Sequence, residues 1–262
     1  MKTLVSRNVY LLYSFIVLFF INSTSETKAQ EGFQLRLSSA AGLSYMAPQN
    51  HYDNDHYHLS YKNKLSYSVD AELGYGFNKM GALLVGVSFQ KAQNGYKGEF
   101  NPGLGVLTQV HEKDISLNYI GVGVLARISN SFSDAYVYDN KVQFFLTTGF
   151  LANVLLSAST DYYSNDIKVG YPSKLIPYTD TDYVYQPVSN PIQLYTNFNL
   201  MFVLEAGMDV FISDKFAFTP SIIGRASVLD INQKDYRKHD DYKASRVYFG
   251  GIKLGFGYYF SR

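Results

Sequence analysis

From Leu65 to Phe77 every second residue is apolar or aromatic: Leu65, Tyr67, Val69, Ala71, Leu73, Tyr75 and Phe77 alternate with Ser66, Ser68, Asp70, Glu72, Gly74 and Gly76. Strict alternation is the signature of a strand with two unlike faces. Along the apolar face, Tyr67 at one end and the Tyr75/Phe77 pair at the other flank an aliphatic middle. Aromatic rings favour the two headgroup levels of a bilayer and aliphatic groups the hydrocarbon between them. The other face carries two carboxylates and must look into a polar interior. The stretch therefore reads as one stave of a transmembrane β-barrel.

The remainder of the chain is consistent with export and excludes several classes. Lys2 and Arg7 precede an apolar run from Tyr10 to Ile21 and a polar stretch ending Thr27-Lys28-Ala29, the layout of a cleaved secretory signal peptide. A run of about a dozen apolar residues is too short for a membrane helix of about twenty. Residues 1–29 are thus expected to be a signal peptide and 30–262 a single barrel domain. The sequence holds 24 Tyr, 19 Phe, no Trp, no Cys and a formal net charge of +1. Absence of Cys removes disulfides, thiol chemistry and a lipid-anchor acceptor. Scattered charge without a basic stripe gives no footprint for nucleic acid.

Alternating segments recur to the end: Phe33 to Met46, Leu65 to Asn78, Ala82 to Gln93, Asp114 to Ser129, Val142 to Ser159, Gln193 to Ile212, Phe216 to Ile231, and Ser245 to Phe260. The predicted fold class is all-β, an eight-stranded antiparallel transmembrane barrel, since in lipid a sheet must close on itself to pair its edges. Lys79 to Gly81 and Ser213 to Lys215 are tight turns, whereas the links after strands one, three, five and seven are long. Asn130 to Lys141 is longer than a tight turn. This asymmetry predicts short periplasmic turns, long extracellular loops and a periplasmic N-terminus. Acidic residues on the interior face argue against a soluble ligand-carrying barrel, which needs the opposite polarity. Strand four changes phase, with Ile115, Leu117 and Tyr119 on one parity and Ile120, Val122, Val124, Ala126 and Ile128 on the other, predicting a bulge near Tyr119. Strand five, with Phe144, Phe145 and Leu146 adjacent, is apolar almost throughout, and its register stays open.

Inward parity gathers Arg36, Arg127, Arg225 and Lys253 against Asp70, Glu72, Glu205 and Asp209. At similar depth in a narrow barrel these charges are expected to pair as a structural ionic network that plugs the interior. Carboxylate pairs such as Asp70/Glu72 or Glu205/Asp209 can in principle do acid/base work, but no nucleophile accompanies them, and no catalytic residue or cofactor is predicted. In the first long loop Asp53, Asp55, His56 and His58 are chemically capable metal ligands, although their spacing matches no established zinc motif. His111 and His239 are read as loop residues. The third long loop, Thr160 to Ile192, is rich in Tyr and Pro, a composition suited either to recognition or to a lid over the barrel mouth.

Three segments, Leu117-Asn-Tyr-Ile-Gly-Val-Gly-Val-Leu-Ala-Arg-Ile128, Phe145-Leu-Thr-Thr-Gly-Phe-Leu-Ala-Asn-Val-Leu-Leu-Ser157 and Gly251-Ile-Lys-Leu-Gly-Phe-Gly-Tyr-Tyr-Phe260, resemble the PorT-type outer-membrane β-barrel domain family. Tyr258 and Phe260 also resemble the aromatic C-terminal signal read by barrel-folding machinery. The resemblance implies a Gram-negative outer-membrane barrel. Some members of the family take part in secretion-system assembly, and the resemblance carries over no catalytic residues. The expected function is a non-enzymatic structural or assembly component meeting outer-membrane lipid and other envelope or secretion-system proteins, with oligomeric state open. The alternatives are a small lipid-modifying hydrolase and a surface adhesin or binding barrel.

Overall fold

The computed structural model describes residues 32–47, 60–77, 81–100, 109–129, 142–164, 167–168, 173–177, 183–187, 191–232 and 244–260. The proposed signal peptide, Asp53, Asp55, His56, His58, His239 and the link 130–141 lie outside them. Eight long strands form the wall: Gly32–Ala47, Leu65–Gly76, Gly81–Phe100, Gln109–Ser129, Val142–Ser164, Phe198–Phe211, Phe216–Ser227 and Arg246–Tyr259, called first to eighth below. Each pairs antiparallel with its sequence neighbours, and the first pairs with the eighth from Gln34↔Tyr259 to Ala47↔Arg246. The ladder closes on itself, so no long strand is left with an unpaired edge. At this seam Gly42 faces Gly251, and a Cβ on Gly42 would stand 2.0 Å from the Gly250 carbonyl oxygen. The two backbones meet there because neither carries a side chain.

Three strands run further than the apolar alternation suggests. The third and fourth stay paired to Phe100↔Gln109, and the fifth follows the fourth to Ser164. His111 therefore belongs to the fourth strand, opposite Gly98 and Ser164, and not to a loop. The added parts carry polar outward residues, Lys97 and Glu112, which continue above the apolar belt the outer face of Lys91, Gln93, Asp114, Ser116 and Asn118. The sixth strand begins later than predicted, at Phe198, because Pro191–Leu194 is a 3-10 turn. Within the third long loop, Ser173–Pro177 and Tyr183–Pro187 pair as a small hairpin.

The predicted bulge near Tyr119 falls on the other strand. The fourth strand alternates without a break: Lys113, Ile115, Leu117, Tyr119, Gly121, Gly123, Leu125 and Arg127 are all buried. Its register with the fifth moves from Asn118↔Ser157 to Tyr119↔Leu155, leaving Leu156 as the extra residue. Leu156 and Ser157 both face outward, as a bulge requires. Below it Phe145, Leu151, Asn153 and Leu155 point in and Phe144, Leu146, Phe150 and Val154 point out, which gives strand five its register. The phase switch in strand four has a different cause. Its upper apolar residues face the barrel interior and its lower ones face outward.

The interior is stacked in layers. At the outer end Leu194, Tyr195 and Ile231 cork the mouth, held by Thr196 N–H to the Ile231 carbonyl (2.7 Å), Ile231 N–H to the Ser245 carbonyl (3.0 Å), and the Thr160–Tyr195 hydroxyl contact (3.0 Å). Beneath lie Met46, Ile115, Leu117, Tyr119, Leu155, Met201 and Val247 in one apolar cluster. At the opposite end Phe211, Ala217 and Tyr259 form a second cluster. Replacing Gly42 by Ala forces the seam apart, an overpacking penalty of about 1–3 kcal/mol. On an unboiled denaturing gel the wild-type chain is expected to run as a compact, heat-modifiable species. G42A should lose that species at lower temperature, and equal conversion temperatures would contradict the seam geometry.

Candidate functional site

Between the two apolar layers the eight inward charges gathered from the sequence meet. Lys253 Nζ is the hub, 3.0 Å from Glu72 Oε1, 3.0 Å from Glu205 Oε2 and 3.6 Å from Asp70 Oδ2. The Arg225 guanidinium grips Asp70 with one nitrogen, Nη2, at 2.7 and 2.8 Å from the two carboxylate oxygens, while Nη1 donates to Ser88 Oγ (3.0 Å) and Gln90 Oε1 (3.2 Å). Nearer the inner end Arg127 pairs with Asp209, and Arg36 spans Glu72 and Asp209 at 3.9 Å each. Phe145 presents its ring to both arginines, with the Arg127 guanidinium carbon 3.6 Å and that of Arg36 5.1 Å from its centroid. All eight charged residues are at most 5% exposed.

Hydroxyls extend the network. Ser88 donates to Asp70 Oδ1 (2.5 Å), Ser221 to Glu205 Oε1 (2.8 Å), and Thr219 (2.7 Å) and Tyr259 (2.8 Å) to Asp209. Sequence reading passed over Ser88, Gln90, Phe145, Thr219, Ser221 and Tyr259. The signal was their inward parity at the same depth as the charges, which for Phe145 was masked by its apolar neighbours. With these included, every one of the eight strands contributes a side chain.

Chemically the arrangement is a balanced salt cluster. Each carboxylate faces a cation, as charges taken out of water require. The space left beside it, lined among others by Asp70, Glu72, Ser88, Leu125, Arg225 and Lys253, is a cavity of ≈ 10 Å³, about the room one water needs. No substrate or cofactor fits there. Ser221 and Ser88 donate to carboxylates without an imidazole to relay a proton, so the constellation lacks the base of a serine hydrolase.

Outside, the wall presents an apolar belt. Leu35, Leu37, Val69, Leu73, Val85, Val87, Val122, Val124, Ile222, Ile252 and Leu254 are all exposed. Aromatic rings border the belt. At the inner end Phe33 and Tyr75 lie 5.2 Å apart, Phe216 and Tyr258 4.9 Å, and Tyr258 and Phe260 4.9 Å. At the outer end Tyr45 lies 4.2 Å from Tyr61 and 6.2 Å from Tyr248, and Tyr67 6.3 Å from Phe89. From Tyr67 to Phe77 the chain descends about 23 Å at ~3.3 Å per residue and ~45° tilt, close to the ~25 Å apolar band of outer-membrane barrels. A closed barrel with this belt and a charged interior is built to sit in hydrocarbon.

No family model and no curated protein matches the sequence. Among solved structures, the chain is similar to Neisserial surface protein A, with 13% identity, a TM-score of 0.45, and coverage of 88% of this chain and 98% of that one. It is also similar to the outer membrane protein OprG of Pseudomonas aeruginosa (11% identity, TM-score 0.38, 90% and 100% covered). A third is Ail, the attachment invasion locus protein of Yersinia pestis (15% identity, TM-score 0.32, 87% and 98% covered). The eight-stranded closure is read from this chain's own ladders.

Removing one member of the network strands its partner. Arg225→Ala leaves Asp70 short of its main cation and Lys253→Met leaves Glu72 and Glu205 facing each other. Each is expected to cost about 3–5 kcal/mol in urea unfolding. Glu112 offers the contrast. It lies outside the belt, between Lys62 and Lys97, whose ammonium groups each approach it to 2.9 Å and hold its carboxyl below the usual glutamate range. A lowered folded-state pKa means the contribution is present above the ordinary glutamate value and fades as pH falls through the lowered one. Because both lysines are about half exposed, Glu112→Gln should cost under about 1 kcal/mol. Equal losses for R225A and E112Q would refute the distinction.

Proposed function

We propose that this chain is an integral, non-enzymatic barrel of the Gram-negative outer membrane. Its interior serves to hold the wall together, and its work is done by the surface it turns to lipid and by its extracellular loops. The observation that carries this reading is the filled interior of the described residues: an apolar cork, an eight-charge cluster beside a water-sized cavity, and an aromatic floor lie in series along the barrel axis. A solute path would have to break the salt cluster, and a catalytic site would have to open it. In an eight-stranded barrel the wall leaves room for little besides its own side chains.

The PorT-type strand patterns support a narrower version, in which the barrel is an assembly or secretion-associated component whose loops meet other envelope proteins. Export by a cleaved leader spanning residues 1–29 belongs to the same reading.

Purified protein in planar bilayers should show no resolved conductance steps, and phospholipid or glycolipid vesicles containing it should keep their acyl chains intact over hours. Steady single-channel currents would overturn the plugged interior. Released fatty acid, abolished by substitution of Ser221, would make the chain a hydrolase. In cells, deletion with unchanged lipid composition and lost surface assembly is the outcome expected of the narrower version.

A further inference from the structure

Of the eight wall strands only the seventh contains a proline, Pro220. Proline has no N–H to give a ladder and belongs at sheet edges and bulges, yet the seventh strand is paired on both sides. Towards the eighth strand the pairing passes unbroken through Thr219↔Gly255 and Pro220↔Leu254, and between the fifth and sixth it passes through Met208↔Phe144 and Asp209↔Gln143. Between the sixth and seventh it stops at Gly207↔Ser221 and resumes at Val210↔Phe218. The turn below explains why. Ile212 N–H donates to the Phe216 carbonyl at 2.8 Å, and antiparallel ladders alternate bonded and non-bonded pairs, so the bonded positions on this seam are Val210, Met208 and Ala206. Pro220 stands opposite Met208 at one of them, and the Met208 carbonyl receives no rung from it. The strands are not held apart, since a Cβ on Gly207 would lie 2.5 Å from the Pro220 carbonyl oxygen.

The gap is bridged from inside. Asp209 and Thr219, both buried, lie on the two sides of it, and Thr219 Oγ1 donates to Asp209 Oδ1 at 2.7 Å. Tyr259 donates to Oδ2 at 2.8 Å, Arg127 pairs with the same carboxylate, and Arg36 Nη2 lies 3.9 Å from Oδ1. Side chains from the first, fourth, seventh and eighth strands thus converge on one carboxylate of the sixth, beside the broken rung. On the outside Met208 and Pro220 are half-buried. Phe216 of the inner aromatic ring is four residues from Pro220, which places the gap about 9 Å above that ring at ~3.3 Å per residue and ~45° tilt. Backbone groups left unpaired at such a level are costly, so a seam that gives up rungs there has to be held by other bonds.

We propose that the sixth–seventh seam at Met208–Asp209 and Thr219–Pro220 is a latched opening in the barrel wall: the Asp209–Thr219 side-chain pair holds it shut in place of backbone rungs, and release of that pair lets the strands part and water reach the salt cluster from the inner end. The cluster is then more than a plug. Its inner part, centred on Asp209, controls a local opening of the wall, while the outer part, centred on Lys253, stays paired.

Amide hydrogen exchange of the full barrel in detergent micelles, read by mass spectrometry, tests this, because exchange reports local opening directly. In the wild type the amides of Met208–Val210 should exchange at least tenfold faster than those of Leu35–Leu37, which also lie near the inner end but on the unbroken first–eighth seam. Thr219→Val, which removes the bridging hydroxyl, should speed exchange at Met208–Val210 at least tenfold further and leave Leu35–Leu37 within twofold. Thr219→Ser keeps the hydroxyl and should exchange like the wild type. Pro220→Val supplies the missing N–H; it should slow exchange at the gap, and in its background Thr219→Val should have less than a threefold effect. Heat-modifiable migration of each variant shows that the barrel has closed. Equal protection of the two segments in the wild type, a comparison that needs no variant, overturns the opening. Exchange in Thr219→Val within twofold of wild type, or an equal effect of Thr219→Val with and without Pro220, overturns the latch. Either result leaves the plugged interior standing, since that reading is tested by conductance.

Discussion

In hydrocarbon a backbone amide has no water to turn to, and every other property of this protein follows from how that demand is met. The ladder from Gln34↔Tyr259 to Ala47↔Arg246 joins the ends of the chain and leaves the wall without a seam of unpaired donors. Closure fixes which face of each strand points in. It also sets a bore narrow enough for the side chains of opposite strands to touch. Arg225 on the seventh strand can therefore reach Asp70 on the second, and Lys253 can join Glu72 to Glu205, contacts between residues 48 to 181 positions apart in sequence.

Two solvents act on one wall. Within the belt the outside is apolar and the inside charged. Above it the third, fourth and fifth strands reverse the arrangement, with Lys97, Glu112 and Asp114 outward and Ile115, Leu117 and Tyr119 inward. The upper part is nearer a water-soluble barrel in its polarity, with an apolar cluster and the buried polar residues Asn94, Lys113 and Asn199 inside, built on the same strands as the membrane part. The salt cluster lies between that core and the Phe211/Tyr259 floor, where water is excluded from both sides. Charge pairing there is demanded by the surroundings, since an unpaired ion would be left in a low-dielectric slot.

How much of this is legible in the residues depends on which solvent a strand meets. The second, sixth and eighth strands announce themselves because one face lies in lipid for nearly their whole length. In the fourth strand the environment inverts at Tyr119 while the backbone does not, and an apolar phase switch then imitates a bulge. The real bulge, at Leu156, was hidden because residues on both faces of the fifth strand are apolar and give no phase to follow. Inward parity gathers the eight charges from sequence. Which carboxylate meets which cation is not legible, since it depends on distances across the bore. The hydroxyl donors were missed because Ser and Thr are unremarkable on either face of a strand.

The extra residue at Leu156 has a consequence for how such a wall tolerates change. A strand keeps track of inside and outside only by counting, so a single insertion or deletion exchanges the faces of everything beyond it until a second irregularity restores the count. Were the strand to alternate regularly here, without the bulge, Ser157, Ser159 and Asp161 would turn into the apolar upper core. With it, they face water, at the height where the fifth strand leaves the lipid. The bulge thus uncouples the length of the membrane-embedded segment from that of the segment above it. At this point the outer part of the protein can be lengthened or exchanged by one residue at a time while the embedded part keeps its orientation.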